Sequence, residues 1–303
     1  MINTKDLIKS FGDNIVLDEL CLHVPKGISG FVGRNGAGKT TTIGILLGLL
    51  KPKSGAATIF GLDCWEKSFE IRKNLGVMHE NNPYPGSFTS MHLLEHVGRF
   101  YGLTNPRQKA KETLHDVGLS GNENKPIKTF SAGMFRRLGL AQALIGEPKL
   151  IILDEPTANI DPSGRISLLN KIVELHKEKN ISFFITTHML SDLEKICDWL
   201  SIIDRGKIVD QGHVRDLAKK YSANLFKIEV SEPHRFLEKL KNIESVENPR
   251  IEGDFVYCKV KNPDEFYSKL PRLTSELNLQ LKGFQRIIGT IEEIYGEITN
   301  EQK

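Results

Sequence analysis

The chain has 303 residues, of which 39% are hydrophobic and 26% charged, and its 41 basic and 38 acidic residues give a net charge of +3. This composition is that of a folded globular protein, which excludes a disordered or fibrous chain, and the charge gives no case for a nucleic-acid partner. No apolar run reaches the roughly 20 residues of a membrane span. The first residues lack the features of a signal peptide, and the four scattered cysteines fit reduced thiols, so we expect a cytoplasmic protein.

The first predicted elements are strands. The alternating segments Ile2 to Phe11 and Ile15 to Val24 flank a Gly-Asp-Asn turn and predict an antiparallel hairpin. The apolar run from Gly27 to Val32 then predicts a buried strand, and Thr41 to Leu50 predicts a helix.

A phosphate-binding loop, G-x-x-x-x-G-K-[ST], lies between that strand and that helix. Its glycines let the backbone curl so that successive N–H groups point at phosphate oxygens, and the helix N-terminus adds partial positive charge. Lys39 neutralises phosphate charge, and the Thr40 hydroxyl can ligate Mg²⁺. The sequence therefore predicts a nucleoside triphosphate site, which consists of Gly33, Arg34, Asn35, Gly36, Ala37, Gly38, Lys39, Thr40 and Thr41.

The middle of the chain predicts an α/β core with a helical insertion. A helix-rich stretch from about Ser90 to Gly146 lies between a strand ending near Met78 and a strand from Leu150 to Leu153. Beyond it, the pattern predicts helices over 162–179 and 189–196 and strands over 181–186, 200–204 and 207–210.

The pattern restarts after residue 220 in the order βαββαβ. The predicted strands are 225–230, 246–251, 255–260 and 279–286, and the predicted helices are 233–240 and 264–276, followed by a last helix from Thr290 to Glu297. This order predicts a small α+β domain of the split-βαβ, ferredoxin-like kind over residues 221–303. The residues of this domain form no pattern that indicates a particular reaction or ligand.

Two acids, Asp154 and Glu155, end the apolar strand that begins at Leu150. Residues at the carboxyl end of a parallel strand lie at the edge of the sheet where ligands of α/β folds bind. Asp154 can hold Mg²⁺, and Glu155 can orient and activate an attacking water. The pair therefore predicts hydrolysis of the bound triphosphate.

The segment from Phe130 to Met134, Phe-Ser-Ala-Gly-Met, resembles the Leu-Ser-Gly-Gly-Gln signature of ABC ATPases. The resemblance covers about residues 1 to 215. It implies a P-loop NTPase core of the ABC type with an antiparallel β subdomain, in a domain over 1–220 whose helical subdomain is about 83–146. It also implies roles for four further residues, which are Phe11 as the aromatic that stacks on adenine, Glu80 at the Q-loop glutamine position, Asp161 in the D-loop and His188 as the switch histidine.

The resemblance implies a dimer in which ATP lies between two subunits. Ser131, Ala132 and Gly133 of one chain would meet the γ-phosphate held by Lys39 of the other. One P-loop and one signature in the chain imply a homodimer, or a heterodimer with a second ATPase chain. Hydrolysis would follow in-line attack of a water polarised by Glu155, with charge stabilised by Lys39, His188, the signature and Mg²⁺.

Two of the departures from the family pattern have physical consequences. Ala132 replaces a glycine, which keeps a small side chain but limits positive φ. Glu80 replaces an amide, so as a metal ligand it would add negative charge and could not donate a hydrogen bond while ionised.

Several of these residues have simpler interpretations. Phe11 could be a packing residue, and Asp161 before Pro162 fits a helix N-cap. The pattern His92-Leu-Leu-Glu-His96 matches a zinc motif but lacks a third ligand. The pair Arg136-Arg137 is typical of a solvated helix face.

The resemblance implies the ATP-hydrolysing subunit of an ABC transporter of the exporting kind, whose permease is a separate chain. It would lie at the inner face of the cell membrane and contact the permease through Pro83 to Gly102. The alternative is a soluble ABC ATPase that acts on nucleic acid, ribosomes or cofactor assembly. Lys39 and Ser131 are only 92 positions apart without a heptad tract, which argues against the long coiled-coil members. A nonhydrolytic regulatory module is disfavoured by Glu155.

Overall fold

The structure is a computed structural model that describes residues 1–221, 224–287, 290–292 and 295–296. Three β-sheets organise this part of the chain. The chain divides into a first unit, Met1–Val214, and a second unit that begins at Arg215. The predicted boundary, after residue 220, lies at the end of the helix that spans this division.

The first unit alternates strands and helices. Its strands are β1 (Ile2–Phe11), β2 (Asn14–Leu20), β3 (His23–Val24), β4 (Ile28–Gly33), β5 (Ser54–Ile59), β6 (Leu62–Asp63), β7 (Leu75–Met78), β8 (Leu150–Asp154), β9 (Ser182–Thr186), β10 (Trp199–Asp204) and β11 (Lys207–His213). Its helices are α1 (Lys39–Leu46), α2 (Ser68–Arg72), α3 (Ser90–Phe100), α4 (Pro106–Asp116), α5 (Ala132–Leu144), α6 (Pro162–Lys179) and α7 (Leu190–Glu194), and α8 (Val214–Tyr221) leads into the second unit.

A six-stranded sheet in the order β11-β10-β4-β9-β8-β7 positions the site. Neighbouring strands in this sheet are parallel, except that β10 and β11 pair in antiparallel fashion. The central strands β4, β8 and β9 are apolar and almost wholly buried, as the continuous hydrophobic runs predict. Because they run in the same direction, their carboxyl ends meet at one edge, and the register sets Asp154 beside Thr186.

The antiparallel sheet contains the predicted hairpin and also strands that the sequence pattern missed. Its order is β2-β1-β5-β6, with β3 on β1. Strand β5 reads Ser-Gly-Ala-Ala-Thr-Ile, which lacks the alternation of large apolar and polar residues that predicts a strand. It forms because it pairs with β1, a contact that a local pattern does not report.

The helices follow the predicted order, except that α2 was not predicted, and α7 is shorter than the predicted 189–196. Helix α1 begins at Lys39 and ends at Leu46, whereas the prediction extended it to Leu50. Gly48 has a φ of +67°, and its N–H bonds the Ile45 carbonyl, so the chain leaves the helix there. Helices α3 to α5 lie in the predicted insertion, and α6 has the predicted bounds. Within the described ranges, no helix is both long and apolar enough to cross a membrane.

The second unit has the predicted βαββαβ order. Its elements are β12 (Leu225–Val230), α9 (Pro233–Lys241), β13 (Val246–Glu252), β14 (Phe255–Val260), α10 (Pro263–Glu276) and β15 (Leu281–Arg286). They form an antiparallel sheet in the order β13-β14-β12-β15 around a core that includes Phe226, Phe236 and Phe266. The ferredoxin-like assignment stays a prediction that this strand order supports. The helix predicted from Thr290 to Glu297 lies partly outside the described residues.

Candidate active site

The loop between β4 and α1 depends on its glycines. Gly36 and Gly38 have φ values of +82° and +112°, which residues with a side chain rarely adopt. A Cβ on Gly38 would lie 2.6 Å from a methyl carbon of Leu17, and a Cβ on Gly33 would lie 2.4 Å from the Ile203 carbonyl oxygen. No atom lies within 4 Å of a Cβ built on Gly36. The loop is therefore packed against the core on one side and open to a ligand on the other.

Lys39 is the first residue of α1, and its ammonium group lies inside the loop. Its Nζ donates hydrogen bonds to the carbonyl oxygens of Gly33, at 2.7 Å, and Arg34, at 3.2 Å. Burial lowers the pKa of Lys39, and the nearby charges of Glu155 and Asp154 oppose this shift. A partly desolvated cation of this kind is favourable for a phosphate group, which supplies opposite charge and accepts its protons.

The two acids at the end of β8 differ in their surroundings. The Asp154 carboxylate accepts a hydrogen bond from the Thr186 hydroxyl, which holds it against β9. Glu155 has a φ of +49°, and its backbone N–H donates to the Thr186 carbonyl at 3.0 Å. A non-glycine residue in this left-handed conformation is uncommon and concentrates at functional sites. The turn places the Glu155 side chain at the sheet edge.

Glu155 and His188 form a side-chain pair. His188 follows β9, and its Nδ1 lies 2.8 Å from Oε2 of Glu155. The Glu155 side chain is 12% exposed and that of His188 is 59% exposed. The histidine therefore restrains a carboxylate that is itself largely shielded from solvent.

A cavity of about 650 Å³ unites these groups. Its lining contains predicted residues from four separate parts of the sequence, which are Asn35, Gly36, Gly38, Lys39, Thr40, Thr41, Glu80, Asp154, Glu155 and His188. The sequence analysis missed Asn14 and Val16, which also line the cavity. No local motif marks them, since they reach the cavity through the pairing of β2 with β1.

Phe11 and three loop residues do not line the cavity. Phe11 ends β1 opposite Asn14, and its side chain is half exposed rather than packed into the core. The loop residues outside the lining are Gly33, Arg34 and Ala37, of which Arg34 is exposed and the other two are buried.

The signature residues and Asp161 lie at helix N-termini, outside the cavity of their own chain. Ser131 caps α5, and its Oγ accepts a hydrogen bond from the Met134 N–H at 3.3 Å. Ala132 is the first helical residue and has no positive φ, so this position does not require the glycine that it replaces. Gly133 is partly exposed. Asp161 caps α6 by accepting from the Gly164 N–H at 3.1 Å, as its N-cap interpretation predicts.

The expected solvated face is wrong for Arg136. This side chain is 6% exposed and donates to the carbonyl oxygens of Glu80 and Ala158. Helical spacing could have predicted the burial of Arg136, because this residue shares a face of α5 with the buried residues Leu140 and Ala143.

The zinc pattern on α3 has no structural support. His92 and His96 are both exposed. Across the described residues, no group of three His, Cys, Asp or Glu side chains could hold a metal ion.

Comparison with known proteins decides the family. A family model described as ABC transporter matches residues 17–158. The bacitracin transport ATP-binding protein BcrA of Bacillus licheniformis is 40% identical over 225 residues, which cover 73% of this chain and 73% of that protein. The chain belongs to the ABC transporter ATP-binding protein family.

Two further similarities agree with this assignment of an ABC ATPase. The Nod factor export ATP-binding protein I of Cupriavidus pinatubonensis is 30% identical over 267 residues, which cover 87% of this chain and 81% of that protein. A solved structure of the ATP-binding subunit of an ABC transporter is 26% identical, with a TM-score of 0.64, and the match covers 73% of this chain and 93% of that one. The chain is therefore an ATPase with the fold of an ABC cassette, and it binds nucleotide.

Proposed function

We propose that this ABC ATPase powers the export of a substrate through a permease carried by a separate chain. The observation that carries the proposal is the single cavity that brings Lys39, Asp154, Glu155 and His188 together. The names of the relatives BcrA and Nod factor export ATP-binding protein I support a transport role.

ATP would bind with its phosphates in the loop from Gly33 to Thr41. Backbone N–H groups at the start of α1 and the Lys39 ammonium group would contact the β- and γ-phosphates. We assign Thr40, Asp154 and Glu80 as oxygen ligands of Mg²⁺, a donor set that suits a hard cation. When bound, this ion neutralises phosphate charge.

Glu155 is the residue that we assign to the attacking water. Its carboxylate can accept a proton from a water in line with the γ-phosphorus, and His188 holds it in place through the 2.8 Å contact. Lys39 and His188 would also stabilise charge on the transferring group.

The signature would complete the site of a second subunit. The N–H groups of Ala132 and Gly133 lie at the N-terminus of a 13-residue helix, which is favourable for a phosphate. Ser131 and Ala132 are exposed, so a second copy or another ATPase chain can reach them. We propose that Asp161 contacts the facing subunit at the same interface.

Phe11 would stack on adenine. Its side chain is 51% exposed at the end of β1, and it pairs with Asn14, which lines the cavity. An aromatic face in that position is available to a nucleobase.

The surface that we assign to the permease is the segment from Pro83 to Gly102. Three of its aromatic side chains are exposed, with Phe88 at 38%, Phe100 at 79% and Tyr101 at 40%. Exposed aromatic residues are typical of protein interfaces. Docking there would hold the ATPase at the inner face of the cell membrane.

Affinity capture tests this function. A tagged Glu155→Gln protein, loaded with ATP, is recovered from gently solubilised native membranes, and the partners are identified by mass spectrometry. We expect a stoichiometric protein with several membrane spans. We also expect Phe100→Asp in this background to abolish its recovery, whereas Phe69→Asp, at an exposed aromatic outside the segment, should not. Recovery of only soluble proteins or nucleic acid would contradict export.

A further inference from the structure

Arg136 is a buried cation that joins parts of the site which are distant in sequence. Its guanidinium Nε and Nη2 donate to the Ala158 carbonyl oxygen at 3.2 and 3.1 Å, and Nη1 donates to the Glu80 carbonyl oxygen. The residue is 6% exposed. A buried guanidinium needs such acceptors, because a charge left without partners in the interior is costly.

The two accepting segments both belong to the hydrolysis site. The side chain of Glu80 lines the nucleotide cavity. Ala158 lies between Glu155 and Asp161, and its N–H donates to the Glu155 carbonyl oxygen at 3.2 Å. Arg136 itself is on α5, the helix that begins with the signature residues. One side chain thus connects the signature helix to the segments that carry Glu80 and Glu155.

The electrostatic surroundings keep this connection charged. Burial lowers the pKa of Arg136, and the carboxylates of Glu80 and Glu155 oppose that shift. A guanidinium stays protonated in proteins. Its planar guanidinium group can donate hydrogen bonds to two carbonyl oxygens at once, which a lysine ammonium group does less well.

We propose that Arg136 is a positioning residue for ATP hydrolysis. It holds the backbone of the Glu80 and Ala158 segments at a fixed distance from the signature helix, so that the Glu155 carboxylate stays in the geometry required for attack. The proposal rests on the assignment of Glu155 to the attacking water. It does not depend on the permease.

Arg137 offers a matched control on the same helix. Its guanidinium also donates to a carbonyl oxygen, that of Gly118 at 3.2 Å, and to the Ser167 hydroxyl at 2.8 Å. Neither acceptor lines the nucleotide cavity. Replacement of Arg137 therefore removes the same kind of bonds from α5 without touching the Glu80 and Ala158 segments.

The test is steady-state ATPase kinetics of the purified full chain, with Arg136→Met, Arg136→Lys and Arg137→Met compared with the original protein. We expect Arg136→Met to lower kcat roughly 10- to 100-fold, because small displacements of a catalytic group have effects of this size. The KM for ATP should change less than about threefold, since Arg136 does not contact the phosphate loop. Arg136→Lys should recover part of kcat, and Arg137→Met should stay within about twofold of the original kcat.

Equal losses of kcat in Arg136→Met and Arg137→Met would overturn the proposal, as would a rise in KM without a change in kcat. Hydrogen exchange provides a measurement independent of turnover. Arg136→Lys keeps the positive charge, so it can be measured even if Arg136→Met does not fold. In Arg136→Lys, amides in 79–82 and 156–160 should exchange faster than in Arg137→Met. Unchanged exchange in both segments would also overturn the proposal. Because no membrane is present, failure of the permease capture leaves these outcomes unaffected.

Discussion

The Nδ1 atom of His188 lies 2.8 Å from Oε2 of Glu155, although 33 residues separate the two in sequence. The contact joins the ends of the neighbouring strands β9 and β8. If the neutral ring donates through Nδ1, its Nε2 is left as an acceptor. A shielded carboxylate is thereby oriented by a ring that a nucleotide can reach.

Loss of the His188 ring should slow hydrolysis more than it weakens binding. We expect His188→Ala to lower kcat roughly 100-fold, because Glu155 loses its orienting partner. The affinity for ATP should change only a few-fold, as the phosphate loop is intact. His96→Ala, at an exposed histidine on α3, is the control for a general effect. Normal turnover by His188→Ala would show that the contact has no catalytic use.

Glu155→Gln should retain ATP and trap a dimer. The amide keeps the size of the carboxylate but cannot accept the proton of the attacking water, so kcat should fall by roughly two or more orders of magnitude. Gel filtration with light scattering, in ATP and Mg²⁺, should show twice the mass of the chain. Glu178→Gln, at an exposed site on α6, should behave as the original protein. A Glu155→Gln monomer with normal turnover would contradict both assignments.

Lys39→Ala should weaken ATP binding. The substitution removes a partly buried cation that donates to the loop and faces the proposed phosphate site, and a charged hydrogen bond of this kind contributes about 1.5–3 kcal/mol. The Kd measured by calorimetry should rise by about one to two orders of magnitude. Lys53→Ala changes an exposed lysine and serves as the control. An unchanged Kd for Lys39→Ala would remove this residue from the binding site.

The Arg165–Asp192 ion pair should contribute to stability. The Arg165 Nε lies 3.8 Å from Oδ2 of Asp192, whose side chain is only 3% exposed. Arg165→Leu would leave a buried carboxylate without its partner and should cost about 3 kcal/mol. Urea unfolding followed by tryptophan fluorescence measures this, since both tryptophans, Trp65 and Trp199, belong to the first unit.

The double variant Arg165→Leu, Asp192→Leu tests the reason for that loss. It removes both charges, so it should be more stable than Arg165→Leu alone. If the double variant is no more stable than Arg165→Leu, packing of the arginine stem, rather than the unpaired charge, causes the loss of stability.

The cysteines should differ in reactivity and make stability depend on pH. Cys21 is exposed and the other three are buried, so a thiol reagent at pH 8 should label one thiol in the native protein and four after denaturation. Burial raises the pKa of Cys64 and Cys258 to about 12 from an ordinary value of 9.0. The unfolded chain loses these protons first, so the free energy of unfolding should fall as pH rises from about 9 towards 12.

Comparison with Cys258→Ala isolates one of these thiols. The variant lacks one group whose proton is held more tightly in the folded state, so its stability should fall less steeply with pH over this range. An identical slope would show that Cys258 does not titrate differently in the two states. Rapid labelling of more than one native thiol would contradict the burial of the others.

The features that the sequence determined by itself are local ones. The glycines before Lys39 specify a turn that residues with side chains rarely adopt, and the apolar run before Asp154 specifies a buried strand that ends in acids. Asp161 followed by Pro162 marks a helix start for the same kind of reason, because capping is a contact between near neighbours. Such signals depend on backbone conformation and periodicity, which a single sequence carries.

Only the tertiary structure decided which distant segments meet. Strand β5 has a weak local pattern and exists through its pairing with β1. The burial of Arg136, the contact of His188 with Glu155 and the place of Asn14 in the cavity all follow from strand register and helix packing. These arise from the free energy of the whole core rather than from any short segment, which is why the residue types were readable in the sequence and their partners were not.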